Sequence, residues 1–212
     1  MTVQPTTPGD AWAGDFGNAY TSRTLNLGEE LAYENAGLWK ELLAAIPAPV
    51  NSVLEVGCNR GMNLGALRAL LPTAQIDGVE INEGAAKLAE RWGSVIYNTP
   101  AQKFQNQRLY ELVFTRGVLI HIHPDDLPGV YKRMYDASSR YIIVSEYYNP
   151  VPVEVTYRGN QGMLWKRDFA GDMMDMFPNL KLLNYGFHYR RDPRYTLQDD
   201  QTWFLLEKRA GK

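Results

Sequence analysis

Apolar positions along the chain recur with two different periods, and the alternation between them outlines a fold. Leu31, Leu38, Leu42 and Leu43 with Leu27 form a helical stripe over Leu27 to Ile46, which Pro47 and Pro49 terminate. Val53, Leu54 and Val56 then read as a buried strand, and Gly57 to Gly61 as a tight turn. Leu64, Leu67, Leu70 and Leu71 return to the helical period before Pro72. The same exchange repeats: a strand at Gln75 to Ile81, a helix at Glu83 to Trp92, a strand at Ser94 to Tyr97, a strand at Glu111 to Thr115. A helix at Pro124 to Ala137 and a strand at Tyr141 to Ser145 follow. Strands alternating with helices predict an α/β fold, a mostly parallel sheet with helices on both faces.

The ends depart from that rhythm. Trp12 to Arg23 is rich in aromatics and glycine and shows neither period, which predicts a cap lying over another surface. Glu146 to Lys166 carries Pro150, Pro152, Gly159 and Gly162 and is too long for an ordinary βα connection. A helix is predicted at Arg167 to Phe177. Strands at Leu180 to Tyr189 and Thr202 to Glu207 then close the sheet as an antiparallel pair. One domain over residues 1–212 is expected, with 1–26 as a lid and 146–167 as an inserted substrate loop.

Composition narrows the functions this fold can serve. The chain has 212 residues, 45% hydrophobic and 22% charged, with a net charge of −2, which disfavours a phosphate-backbone grip. Its basic cluster, Tyr189 to Arg194, is diluted by Asp192, Asp199 and Asp200 and reads as a solvated turn. Cys58 is the single cysteine, so neither a disulfide framework nor a thiolate zinc site is expected, and in the glycine turn it reads as a packing residue. His121, His123 and Asp125 are metal ligands by type but have no further ligand cluster beside them, so no metal is expected. No apolar run reaches the roughly 18 residues of a membrane span, and the start lacks a basic-then-apolar signal plan. A cytoplasmic protein, monomer or homodimer, with a small-molecule substrate and neither nucleic-acid nor membrane partner is expected.

A strand, a glycine turn and a helix form a nucleotide cradle. The dinucleotide fingerprint G-x-G-x-x-G fails here, because Asn59 and Met62 occupy its later glycine positions. The stretch resembles motif I of the class I S-adenosylmethionine-dependent methyltransferases, E/D-x-G-x-G-x-G. Glu55, Gly57 and Gly61 match, and Asn59 stands in for the middle glycine. Asn tolerates positive φ better than most residues, so a left-handed backbone is expected there. The resemblance implies S-adenosylmethionine as cofactor, in a Rossmann-like sheet. Glu80 would grip the ribose hydroxyls, beside Cys58 and Ile81. Ala101 and Gln102, with Asn98 as an alternative, would read the adenine. Arg116 leads the post-strand segment beside the methionine portion, and Tyr20 and Arg23 could reach its carboxylate.

Further segments resemble a narrower group, the pseudaminic acid biosynthesis-associated methylases. These are Trp12 to Arg23, Val118 to His121, Glu146 to Pro150, Tyr157 to Gly159, Lys166 to Gly171, Gln198 to Asp200 and Thr202 to Glu207. That resemblance implies a nonulosonic-sugar context. The residues themselves place Tyr148, Asn149, Arg158, Arg167 and Asp168 at a substrate site, with the two arginines suited to an anion. His121 is the first candidate base, followed by Glu146, Tyr147 and Asp168. Two alternatives remain open: a nucleic-acid or protein methyltransferase, and a cofactor-binding protein doing other chemistry.

Overall fold

The computed structural model describes residues 7–25, 30–195 and 199–209, with the side chains of 30–34 excepted. A seven-stranded sheet runs β3-β2-β1-β4-β5-β9-β8. Its strands are β1 (Ser52–Val56), β2 (Gln75–Glu80), β3 (Val95–Asn98), β4 (Tyr110–Arg116), β5 (Ser138–Glu146), β8 (Leu180–His188) and β9 (Gln201–Lys208). The pairs from β3 through β5 are parallel. β9 is antiparallel to both β5 and β8. The expected doubly covered sheet with an antiparallel closing strand is therefore present.

Each central strand sends alternate side chains into opposite cores, as the period of two requires. Val53, Leu112, Phe114, Tyr141 and Ile143 face α3 (Glu30–Ala44) and α4 (Met62–Leu70), meeting Leu38, Trp39, Leu42, Leu64 and Leu67. Leu54, Val113, Ile142 and Val144 face α6 (Leu127–Ala137) and α7 (Phe169–Met176), meeting Val130, Met134, Phe169 and Met173. Of the predicted α3 stripe, Leu38 and Leu42 are fully buried, whereas Leu27 and the Leu31 side chain lie outside the described residues. The helix expected from Pro124 starts only at Leu127, because 124–126 form a turn with Asp126 as the N-cap.

The N-terminal segment is a correction to the sequence reading. It is helical, as α1 (Pro8–Ala13) and α2 (Asp15–Leu25). Thr7 caps α1 by accepting from Asp10 N at 3.2 Å, with Pro8 in the first turn. The remaining support comes from far along the chain. Asn82 Nδ2 donates to Asn18 Oδ1 (2.8 Å) and faces the Trp12 and Ala13 carbonyls (both 3.3 Å). Two short helices thus form by docking onto the loop after β2, which no local period could reveal. Asn82 also caps α5 (Glu83–Ala89), accepting from Ala85 N. Asn18→Ala should loosen this dock by about 1 kcal/mol. Faster hydrogen exchange confined to residues 8–25 is the expected result, and unchanged exchange would show that Asn18 carries none of it.

Within 146–167, β6 (Val153–Glu154) and β7 (Trp165–Lys166) form a small separate hairpin. Among the described residues no helix is long and apolar enough to cross a membrane.

Candidate active site

A cavity of about 320 Å³ opens at the carboxyl ends of β1, β2 and β4, the edge where open α/β sheets bind ligands. α1, α2 and the 157–160 turn contribute to its walls. The floor is the turn after β1. Gly57 has φ 79°, and a Cβ there would lie 2.6 Å from the Val118 side chain, so only glycine lets the two segments meet. Asn59 has φ 44°, the left-handed geometry its sequence position predicted. Its side chain donates to Thr21 Oγ1 at 3.2 Å, tying the turn to α2. Gly61 is the left-handed N-cap of α4, where a Cβ would come within 3.1 Å of Ala89 Cα; it lies behind the cavity wall.

Two acidic side chains face this cavity from strand ends. Glu80 is 7% exposed, and its carboxylate accepts from Asn59 N (2.7 Å) and Asn82 N (2.8 Å). Burial raises its pKa, and those two N–H groups oppose the rise. Glu55 accepts from Asn63 Nδ2 at 2.6 Å. Its Oε2 is buried and, among the described residues, has no hydrogen-bond partner. Burial pushes the Glu55 pKa up to about 8, against the pull of Asn63 and of Arg116. Arg116 is held by Gln201 Oε1 (3.0 Å) and Asn63 Oδ1 (3.2 Å). An acidic oxygen without a partner among the described residues, beside a half-buried guanidinium, fits an amino-acid head group. A strand-end carboxylate with lone pairs left over fits a ribose diol. Ile81, Ala101 and Gln102 continue the wall, and Cys58 lines it as a buried thiol whose pKa is pushed up by burial and then by Glu55 and Glu80. Asn98 turns away and donates to the Glu80 and Ile81 carbonyls.

At the other end, His121 sits in a single 3₁₀ turn (Leu119–His121) between the rings of Trp12 (4.7 Å) and Tyr157 (4.8 Å). Its Nδ1 lies 2.7 Å from the Met163 carbonyl, which can only accept, so Nδ1 carries the proton and Nε2 the lone pair. Burial lowers its pKa to about 4, and the Met163 contact opposes this. His121, Tyr20, Tyr147 and Arg158 all line the cavity.

Several expected site residues are elsewhere. Glu146 is buried beneath the site. Its carboxylate accepts from Val118 N (3.0 Å), Leu119 N (3.1 Å) and Ile120 N (3.5 Å), so it pins the turn that carries His121 and does not line the cavity. Burial raises its pKa to about 7, with the Leu119 and Val118 N–H groups opposing. Tyr147 does line the cavity, but its hydroxyl donates to Asp199 Oδ2 at 2.6 Å, and burial and that carboxylate hold its pKa far above the usual phenol value. Tyr148, next along an extended chain, points the opposite way and packs on Phe204, ring centroids 5.8 Å apart. Asn149 bonds the Val151 carbonyl. Arg167 pairs with Asp172 at 2.6 Å, and Asp168 caps α7 through Gly171 N. Arg23, one turn beyond Tyr20, lies over that ring at 5.8 Å outside the wall. His123 packs edge-on to Trp165, and among the described residues no three His, Cys, Asp or Glu are grouped to hold a metal ion.

The sequence reading missed Asp199 and Gln201, which line the cavity from the approach to β9. Tyr157 lines it as well. Tyr157 and Asn160 exchange both backbone hydrogen bonds, each 2.9 Å, around Arg158 (φ 49°) and Gly159 (φ 80°). That is a two-residue turn needing positive φ at both centres, where Asn-Gly is favoured. Arginine in the first place costs about 1 kcal/mol of backbone strain.

Solved structures share this architecture. The 1,6-didemethyltoxoflavin-N1-methyltransferase of Burkholderia thailandensis matches with TM-score 0.67 and 15% identity, over 99% of this chain and 94% of that one. The plantazolicin methyltransferase matches with TM-score 0.64 and 11% identity, over 96% and 95%. The magnesium protoporphyrin IX methyltransferase of Synechocystis PCC 6803 matches with TM-score 0.64 and 12% identity, over 98% and 100%. Identities this low establish likeness of fold. No curated protein matches the chain significantly. Sheet order, glycine turn and paired strand-end acids define a class I S-adenosylmethionine-dependent methyltransferase. The chain belongs to the methyltransferase-domain family, which matches residues 27–186.

Proposed function

We propose that this enzyme methylates a nitrogen or oxygen atom of a small, polar, anionic metabolite, and that a nonulosonic acid of the pseudaminic type is such an acceptor. The observation that carries this is the cavity itself. It is walled by α1, α2 and the 157–160 turn and exposes Arg158 beside His121. A polymer would need an open basic groove, which a net charge of −2 does not favour. The resemblance of the 12–23, 146–150 and 157–159 segments to the pseudaminic-associated methylases supports the sugar.

In this reading Glu80 holds the ribose and Glu55 the ammonium group of the cofactor. Arg116 and Tyr20 face its carboxylate, and Ile81, Ala101 and Gln102 enclose the adenine. The cofactor supplies an electrophilic methyl on a sulfonium, so the protein's contribution is position and exclusion of water. The acceptor N–H or O–H must surrender a proton. His121 is neutral near pH 7, because its pKa is depressed to about 4, and its Nε2 lone pair is the acceptor. Glu146 positions that ring through the 118–120 backbone.

His121→Ala should lower kcat by about 10²-fold while leaving S-adenosylhomocysteine affinity intact. An unchanged kcat would remove it as the base. The acceptor class is tested by mass spectrometry of free and nucleotide-activated nonulosonic acids after incubation with enzyme and cofactor. A gain of one methyl is expected; label appearing only in RNA or protein would overturn the small-molecule reading.

A further inference from the structure

Arg158 occupies a turn position that disfavours it, and its side chain lines the cavity. Its guanidinium lies 5.5 Å from the Tyr157 ring centroid, and its interactions run to Tyr157 first, then Tyr20, then more weakly Asp199. Asp199 lines the same cavity from the segment before β9, and its Oδ2 accepts the Tyr147 hydroxyl at 2.6 Å. Both side chains are exposed in the protein without ligand. A cation and an anion therefore share one cavity; the first partner of Arg158 is Tyr157 and that of Asp199 is Tyr147, and among the described residues no ion pair joins the two charges.

We infer that Arg158 and Asp199 read two groups of opposite charge on one acceptor, so that the substrate is a small zwitterion carrying an acid and an amine. The inference rests on the small-molecule methyl-transfer reading and narrows its acceptor from anionic to zwitterionic. The acid of the acceptor approaches the Arg158 fork, and its ammonium approaches the Asp199 carboxylate, which Tyr147 holds in place. Tyr147 is a positioning residue in this arrangement. Bridging two charges that do not neutralise each other gives the acceptor both contacts without first breaking an ion pair. A molecule with only one of the two groups leaves the other side chain unanswered.

The test measures binding by calorimetry to enzyme saturated with S-adenosylhomocysteine. Three probes differ in one charge: muramic acid has amine and carboxylate, N-acetylmuramic acid lacks the free amine, and glucosamine lacks the carboxylate. Muramic acid should bind about tenfold or more tighter than either of the others. Asp199→Asn should erase its advantage over N-acetylmuramic acid, and Arg158→Asn its advantage over glucosamine. Arg158→Asn should also raise the thermal midpoint, since asparagine suits the turn, which separates loss of recognition from loss of fold. Equal binding of the three probes, or of none, would overturn the inference. So would a loss of S-adenosylhomocysteine affinity in Arg158→Asn, which would assign that cation to the cofactor carboxylate. Wild-type enzyme that fails to bind S-adenosylhomocysteine would count against the methyl-transfer reading instead, and this is seen before any probe is added.

Discussion

Glu80→Ala lowers the affinity for S-adenosylmethionine by about 10²- to 10⁴-fold, measured by titration calorimetry. The magnitude follows from the number of bonds at stake. An ionised carboxylate offers about four acceptor positions. Glu80 gives one to Asn59 N and one to Asn82 N, and the others face the cavity where a ribose diol would lie. Losing two hydrogen bonds to a charged group costs about 3–6 kcal/mol. Alanine also orphans the Asn59 and Asn82 donors, so the turn after β1 and the dock of α2 relax together. Thermal unfolding of the variant measures that second effect separately. Wild-type cofactor affinity in Glu80→Ala would take the ribose away from this residue.

Cofactor binding near pH 7 is expected to release close to one proton, and Glu55 is its source. Burial raises the Glu55 pKa to about 8, so the carboxyl of the unliganded protein is mostly protonated at that pH. The buried Oε2, which has no partner among the described residues, is where an ammonium would bind. An ammonium at that oxygen favours the ionised form, and the proton leaves to buffer. Binding enthalpies measured in phosphate and in Tris should differ by the ionisation enthalpy of about one proton. Glu55→Gln should abolish that difference and weaken affinity; an enthalpy independent of buffer in the wild type would sink the assignment. The same shift acts on stability. A folded-state pKa above the unfolded value gives a contribution fully present below pH 4.5 and lost as pH rises through about 8. Glu146, raised to about 7, adds to this loss. His121 has the opposite sign, because its depressed pKa costs stability as pH falls from 6.5 to 4. The His121 contribution fades as pH rises past 6.5, so the unliganded protein should lose stability on the way to pH 8, and cofactor should restore it.

The parts of this structure legible in the sequence are those held by local pattern. The strand-turn-helix from Val53 to Leu71 and the placement of Glu80 at a strand end need only periodicity and one glycine turn. Asn59 could be assigned a left-handed backbone because the turn demands it whatever surrounds it. What escaped depends on contacts distant in the chain. α1 and α2 exist through Asn82, some 70 positions on. Tyr147 and Tyr148 are the same residue type side by side, and the direction of the chain after β5 decides which one meets the cavity. Glu80 and Glu146 both end strands, yet backbone N–H groups enclose Glu146, whereas two of them leave Glu80 part of its valence. Arg167 finds Asp172 five positions on, in the first turn of α7, and Arg158, at a turn tip, has the Tyr157 ring as its nearest partner. Asp199 needed the closing strand to bring it back across the sheet.

The dock of α2 also has a consequence in time. Asn59 meets Thr21, Arg60 Nη2 donates to the Thr24 carbonyl at 2.6 Å, and Asn82 meets Asn18. Each bond joins the roof of the cavity to a residue of the cofactor turns beneath it. Weakening these bonds, as Asn18→Ala would, is expected to speed the exchange of a bound cofactor. An exchange rate unchanged in that variant would show that the two helices do not time the turnover.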